Sequence, residues 1–423
     1  MSILIKGVLH QGRYTDILIE ENRIASISPE IKADALQQGV QIIDGKDKAV
    51  IPGFHNCHTH AAMTIFRGYG DDLPLMKWLQ DYIWPVEAKM SAEDVYWGAK
   101  LACLEMIKTG TTAFMDMYMN PLATARAADE MGLRAVVSYT LFDQGSPERA
   151  RQDRDNCSRY LEEFKKFGQR IKFSIGPHAI YTVCGEQLQF CHQFAQEHNV
   201  LIHLHMSETK GEWDECMKLH GTTPIRYLND LGVLSPNLVI AHAIWVDDEE
   251  MDLLAAHGVK VVHNPASNMK LASGYEFKFE EMKRRGIGVG LGTDGCSSSN
   301  NLDMVVAMKL ASFLGKVWRF DSTAVTAKSI LHSATAVGAD ILRIDAGRIE
   351  EGALADLCLV DLNLPEMTPL HDFTSNLVYA ANGSCIDTTI VDGKILMQNK
   401  HVPGEEEIMN KVKEIAYKLI PKN

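Results

Sequence analysis

The chain lacks what a membrane or a secretory route requires. No apolar run approaches the roughly 18–20 residues that cross a bilayer. Met1-Ser2-Ile3-Leu4-Ile5-Lys6 has no signal-peptide core. Nine cysteines stand at 57, 103, 157, 184, 191, 216, 296, 358 and 385, with no C-x-x-C pair and no short-range pattern. An odd count without a framework excludes a disulfide scaffold and fits a reducing compartment. Positive charge is scarce: 42 Lys and Arg face 55 Asp and Glu, for a formal net charge of −13. That balance excludes non-specific nucleic-acid binding and attachment to anionic membranes. Solenoid repeats and low-complexity tracts are absent. These absences leave a cytoplasmic globular protein as the expectation.

What is present is ample core-forming sequence: 423 residues, of which 46% are hydrophobic. The first fifty residues read as short strands separated by Gly, Asn and Asp turns, as in Asp16-Ile17-Leu18-Ile19-Glu20. From about residue 52 the texture alternates. Apolar strands are expected at 49–60, 112–118, 134–141, 172–178, 201–205, 238–242, 260–264 and 288–294. Helices rich in Ala, Leu, Glu and Lys are expected at 92–108, 121–131, 153–167, 185–198, 223–231, 247–256 and 302–314. Eight βα units imply a (β/α)8 TIM-type barrel, with chemistry at the C-terminal ends of the strands. After residue 345 the strand texture returns, and a helix follows at 405–419. The expected organisation is a small β-sandwich domain formed by both chain ends, residues 1–53 and 345–423 with the C-terminal helix, around a catalytic barrel of residues 54–344.

The expected strand ends carry one pattern. Strand 1 ends in His58-Thr59-His60, whose i, i+2 spacing points both imidazoles to one face. Strand 5 ends in His203-Leu204-His205-Met206-Ser207-Glu208, and strand 6 in His242. Strand 7 carries His263-Asn264, and strand 8 ends in Thr293-Asp294. Imidazoles and a carboxylate suit a first-row divalent ion. His58, His60, His205 and Asp294 supply the ligand set, with a position left open for water. Zinc is the expected ion; iron and manganese accept the same ligands. His203 lies deeper and reads as a core or supporting histidine. Lys172 falls near the wrong end of strand 4 to bridge a second metal, so a mononuclear site is expected. Such an ion lowers the pKa of bound water from about 15.7 towards 7.

Together these residues resemble the amidohydrolase superfamily, and within it the S-adenosylhomocysteine/5′-methylthioadenosine deaminase family. The likeness covers nearly the whole chain. It rests on Pro52-Gly53-Phe54-His55-Asn56-Cys57-His58-Thr59-His60, on Phe66-Arg67-Gly68-Tyr69-Gly70-Asp71-Asp72-Leu73-Pro74-Leu75 with Trp78-Leu79 and Trp84-Pro85-Val86-Glu87, on His263-Asn264-Pro265-Ala266-Ser267-Asn268-Met269-Lys270-Leu271, on Gly292-Thr293-Asp294-Gly295, and on Gly347 to Leu357.

The resemblance implies hydrolytic deamination of an adenine nucleoside (5′-methylthioadenosine, S-adenosylhomocysteine, adenosine or 5′-deoxyadenosine) by metal-activated hydroxide attack on C6. In that scheme Glu208 protonates N1 and needs a raised pKa to do so. Asp294 relays the proton to the leaving ammonia, and His242 polarises the water. Glu87 receives the ribose hydroxyls, and His178 and His263 contact the nucleoside. Arg151 or Arg154 reaches the substrate tail, and the sequence does not choose between them. Trp84, with Trp78 and Phe66, forms an apolar wall. Tyr139 stands where a homocysteine-handling relative carries arginine, which favours shorter 5′ groups. The same machinery also serves guanine, aminodeoxyfutalosine or s-triazine rings. A non-catalytic scaffold is disfavoured because every ligand is present. A homo-oligomer, dimer or tetramer, is a family-level expectation.

Overall fold

The computed structural model describes residues 2–32 and 39–420. Parts of the expected terminal domain, namely Met1, residues 33–38 and residues 421–423, lie outside the described residues. The chain opens with β1 (Ser2–His10), β2 (Arg13–Glu20), β3 (Arg23–Ser28), β4 (Gln41–Asp44) and β5 (Lys48–Pro52). It then runs through eight strands: β6 (Phe54–Thr59), β7 (Thr111–Tyr118), β8 (Arg134–Leu141), β9 (Ile171–Pro177), β10 (Leu201–Met206), β11 (Leu238–His242), β12 (Lys260–His263) and β13 (Val289–Leu291). It returns through β14 (Leu357–Asp361), β15 (Ile386–Val391) and β16 (Lys394–Met397).

Both chain ends share one sheet, in the order β16-β15-β14-β5-β1-β2-β3, with β4 parallel to β1. Alternating Ile, Val and Leu, among them Ile3, Ile5, Ile17, Ile19, Val50, Leu357 and Leu359, fill its interior. The second sheet runs β6 to β13 in sequence order, and its pairs are parallel. Every residue of β6 and of β7 is buried, as expected of strands covered on both faces. The result is a mixed α/β fold around a nearly closed eight-stranded parallel barrel.

Closure is made at the β6–β13 seam. The Asp294 N–H donates to the His58 carbonyl at 3.0 Å. The Asn56 amide donates to Thr293 Oγ1 and accepts from the Thr293 N–H. Gly292 permits this approach, because a Cβ there would lie 2.8 Å from the Cβ of His58.

The structure departs from the sequence expectations at several elements. The strand expected at 49–60 is two strands in different sheets. Gly53 lets the chain cross between them, since a Cβ there would come within 2.1 Å of the Thr112 side chain. The helix expected at 153–167 is Pro147–Phe164, begun by Ser146 as N-cap with Pro at the first turn. Helix Lys210–His220, capped by Thr209, was not anticipated. The segment after β6 is helical in pieces: Leu75–Trp78, a widened π turn at Leu79–Ile83, and Trp84–Glu87. Pro85 has no N–H and crowds the preceding turn, which accounts for the widening.

Helix Glu405–Leu419 forms where the sequence places it. It leans on helix Ala92–Lys108 and on the 3-10 turn Ala61–Phe66 of the barrel unit. Val412 and Leu419 join the cluster that holds Phe66 and Trp78. The two sheets are also tied by Arg134 at the start of β8, which bonds Asp356 at 2.6 Å and Asp392 at 2.7 Å. Among the described residues, no helix is long and apolar enough to cross a membrane. The nine cysteines are free.

Candidate metal centre and active-site cavity

The strand ends converge on one cavity of about 460 Å³ at the C-terminal mouth of the barrel. This is a ligand-sized pocket. His60, His205 and Asp294 line it, together with Glu208, His242, His178, Glu87 and Trp84.

The hydrogen bonds fix how each imidazole faces. His60 Nδ1 donates to the Met117 carbonyl at 2.6 Å, and His205 Nδ1 donates to the His178 carbonyl at 2.8 Å. Each ring therefore turns its Nε2 to the interior; burial keeps His205 neutral, whereas Asp294 outweighs burial at His60 and pushes it up to about 9. Those two nitrogens lie 3.2 Å apart. Asp294 Oδ1 lies 3.2 Å from His60 Nε2 and 3.5 Å from His58 Nε2. His58 Nε2 is buried and has no hydrogen-bond partner; its Nδ1 sits 2.7 Å from His203 Nε2. Lone pairs that converge in a buried site call for a cation. Two overlapping groups can hold one: His58, His60 and Asp294, and His58, His205 and His242. Burial alone would push the Asp294 carboxyl up. The neighbouring His58 and His60 imidazoles outweigh burial and hold it well below the usual carboxylate range.

Backbone strain collects here. Ser207, His242, Ala243 and Asp294 all adopt left-handed φ between 45° and 78°. Such conformations cost on the order of 1–3 kcal/mol each and persist only where packing over-determines them. At these strand ends they turn the side chains into the mouth.

Glu208 follows β10 and accepts from Ser273 Oγ at 3.2 Å. Its Oε2 is 3.9 Å from His242 Nε2. His242 Nδ1 donates to Asn268 Oδ1 at 2.8 Å, which leaves Nε2 facing Glu208. Glu87 accepts the Tyr118 hydroxyl at 2.6 Å, and burial pushes its carboxyl up. His178 packs beside the His205 ring, and burial pushes it down to about 3, so it is a neutral imidazole.

The structure separates other candidates from the cavity. His263 is buried against Phe277, with ring centroids 3.9 Å apart, and does not line the cavity. Arg151 is exposed on helix Pro147–Phe164. Arg154 on the same helix is held by Gln187 at 2.8 Å; neither arginine lines the cavity. Trp78 and Trp84 line it, whereas Phe66 lies in the core beneath. Lys172 bonds the Arg343 carbonyl at 2.5 Å and is absent from the lining.

Sequence reasoning did not single out Glu212. Its carboxylate accepts the backbone N–H groups of Ser207 and Glu208 at 2.9 and 2.8 Å, and so holds the turn that carries Glu208. Thr209 just upstream reads as an N-cap with Glu212 at N3, which was the available signal. Tyr118, Tyr160 and Tyr181 had no local signal, because strand pairing and loop packing bring them in.

The Amidohydrolase family model matches residues 49–396, and the chain belongs to that family. It is 43% identical over 421 residues to the 5′-deoxyadenosine deaminase of Methanoregula boonei, covering 99% of this chain and 95% of that protein. It is 45% identical over 404 residues to the 5-methylthioadenosine/S-adenosylhomocysteine deaminase of Thermococcus kodakarensis, covering 94% of each. Among solved structures, an adenosine deaminase from Xanthomonas campestris with bound zinc superposes with a TM-score of 0.92 at 31% identity. That match covers 99% of this chain and 98% of the other.

Proposed function

We propose that the chain is a metal-dependent hydrolytic deaminase that converts an adenine nucleoside to its inosine analogue and ammonia. The observation that carries this reading is the placement of Glu208, His242 and Asp294 around one cavity beside the converging imidazoles. The full-length similarity to deaminases of adenine nucleosides supports it.

His58, His60, His205 and Asp294 would hold one divalent ion, with zinc favoured and iron or manganese chemically acceptable. When bound, such an ion supplies a Lewis acid that acidifies water near neutral pH. The remaining work belongs to side chains. Glu208 delivers a proton to ring nitrogen N1, which makes C6 electrophilic. Asp294 takes the proton that the attacking water gives up and passes it to the departing amino group; as the C6–N bond breaks and the C6 carbonyl forms, the proton left on that oxygen returns to Glu208. His242 offers its Nε2 lone pair to orient that water. Glu87 receives the ribose hydroxyls, and neutral His178 bonds the nucleoside. Trp84 and Trp78 exclude water from above. The exclusion of Lys172 from the mouth supports a single ion per chain; two tightly held ions by metal analysis would remove that part.

In this reading residues 54–344 form the catalytic barrel, and residues 1–53 with 345–423 form a small β-sandwich. The enclosed Ile, Val and Leu interior of the terminal sheet supports the second unit. Nine free thiols support a cytoplasmic location. Phe313 and Val317, one turn apart and exposed, support a dimer or tetramer.

The test is an ultraviolet assay of the zinc-loaded protein. It follows the adenine-to-hypoxanthine absorbance change on 5′-deoxyadenosine, methylthioadenosine, adenosine and S-adenosylhomocysteine. Turnover abolished by chelation is expected. No turnover on all four with metal bound would move the substrate to another ring, such as guanine, aminodeoxyfutalosine or a triazine.

A further inference from the structure

We infer that the cavity end remote from the metal donors is a subsite for an uncharged 5′ substituent and rejects one that carries a carboxylate. This rests on the deaminase reading above.

The orientation follows from the barrel. The metal donors and Glu208 come from β6, β10, β11 and the segment after β13. The wall across the mouth comes from β8 and the segment after it, Tyr139, Thr140 and Phe142, with Tyr160 from the following helix and Leu75 and Leu79 from residues 66–87 after β6, the lid of the cavity. A nucleoside with its base at Glu208 and its ribose at Glu87 directs its 5′ end towards that wall.

The wall has no charge to offer an anion. Among the described residues that line the cavity, none is Lys or Arg. The nearby guanidiniums are committed or point away: Arg149 to Gln144 at 2.9 Å, Arg154 to Gln187 at 2.8 Å, and Arg151 to solvent. The Tyr139 and Thr140 hydroxyls are spent as well. The Tyr139 hydroxyl donates to Asp153 Oδ1 at 2.7 Å and accepts from Asn156 at 2.9 Å. Thr140 Oγ1 donates to the Tyr118 carbonyl at 3.2 Å. Tyr139 stacks on Tyr160, with centroids 5.0 Å apart, and turns an aromatic surface to the cavity. Behind it stands the Asp153 carboxyl, of the wrong sign for a carboxylate tail. A substrate carboxylate seated here would lose its water and gain no cation. Sites that leave a charge or strong acceptor unpaired discriminate far more strongly than those that lose one methylene.

The experiment compares kcat/KM of the zinc-loaded full-length protein on four nucleosides. 5′-Deoxyadenosine, methylthioadenosine and adenosine carry no charge at 5′; S-adenosylhomocysteine carries an α-carboxylate. The expected result is kcat/KM lower by about 100-fold or more on S-adenosylhomocysteine than on the best uncharged substrate. A ratio within tenfold overturns the subsite while leaving the deaminase reading intact. No turnover on any of the four overturns both. Tyr139→Arg should raise the S-adenosylhomocysteine to 5′-deoxyadenosine ratio at least tenfold. Asp153→Asn keeps the acceptor for Tyr139 and should raise the ratio severalfold, which guards against misfolding of the arginine variant. An unchanged ratio in both folded variants overturns the assignment of this wall.

Discussion

The Tyr118 hydroxyl donates to Glu87 Oε1 at 2.6 Å, and so joins the last residue of β7 to the last turn of the lid. Burial pushes the Glu87 carboxyl up, and the Tyr118 bond opposes that rise. In the proposed reading the ionised form is the one that accepts two ribose hydroxyls. As pH falls into the raised range, Glu87 gains a proton and KM rises. Tyr118→Phe removes the opposing bond, so the KM inflection should move to higher pH. Glu87→Gln should raise KM roughly 10–100-fold with a smaller change in kcat, as loss of charge-assisted bonds made in ground and transition states alike. The pH profile of KM in the three proteins checks both statements.

In the proposed scheme Glu208 meets the reacting ring and holds no metal, and its Oε2 lies 3.9 Å from His242 Nε2. Glu208→Gln should keep its metal and lose kcat by about 10²–10⁴-fold. His205→Ala should lose the metal itself. Metal content measured beside turnover separates the two outcomes, and unchanged turnover in the glutamine variant would remove Glu208 from the chemistry.

Glu212 acts through Glu208. Its two oxygens accept two backbone N–H groups. A glutamine there would turn an NH2 against one of those donors, so Glu212→Gln should lower kcat about tenfold, on the scale of one buried hydrogen bond lost. Burial pushes Glu212 up to about 7 despite the two bonds. For a carboxyl raised on folding, the stabilising contribution is full below the ordinary value of 4.5 and is lost as pH rises through 7. Thermal melts at pH 5 and pH 8 should therefore differ more in the parent than in Glu212→Gln.

The lid is tethered across the mouth. Lys270, after β12, bonds Asp71 at 2.6 Å and the Ser297 carbonyl at 3.2 Å, and Asn300 bonds Asp71 at 3.0 Å. These groups are partly exposed, and such pairs are worth about 0–1 kcal/mol. Asp71→Asn should raise KM by no more than about fivefold. High salt should mimic the substitution in the parent and have little effect on the variant. Steady-state kinetics at two ionic strengths decides it.

Arg134 is a buried strut between the sheets, and Asp356 beside it is wholly buried. Arg134→Met would strip that carboxylate of its buried cation, while Asp392 keeps Asn22 at 3.0 Å. Destabilisation by about 3–5 kcal/mol is expected, read as a fall in denaturant midpoint. Arg134→Lys should recover only part of it, because a point charge cannot reproduce the forked bonds.

Apolar strand periods at 112–118, 134–141 and 201–205 and the polar residues that end β6, β10 and β11 were legible because burial and pleat impose short-range patterns. The break at Gly53 was not, because the apolar run continues across it and only packing against Thr112 separates the two strands. Helix Lys210–His220 was obscured by its mixed composition. His263 carried the same strand-end signature as His242, yet Phe277 covers it, a contact between residues that no local pattern links.

The amino-acid sequence by itself determined the alternating βα architecture, the histidines and aspartate that gather at the strand ends, and the family to which the chain belongs. Each depends on residue type and on spacings of two to four along the chain. Tertiary structure alone decided which donors converge, which arginines turn away from the cavity, that Glu212 supports the Glu208 turn, and that Tyr139 closes the far wall with its hydroxyl already spent. Those outcomes depend on how the rotations of eight strands and their loops combine around the barrel. They also depend on side-chain hydrogen bonds between residues tens to hundreds of positions apart, for which linear spacing carries no information.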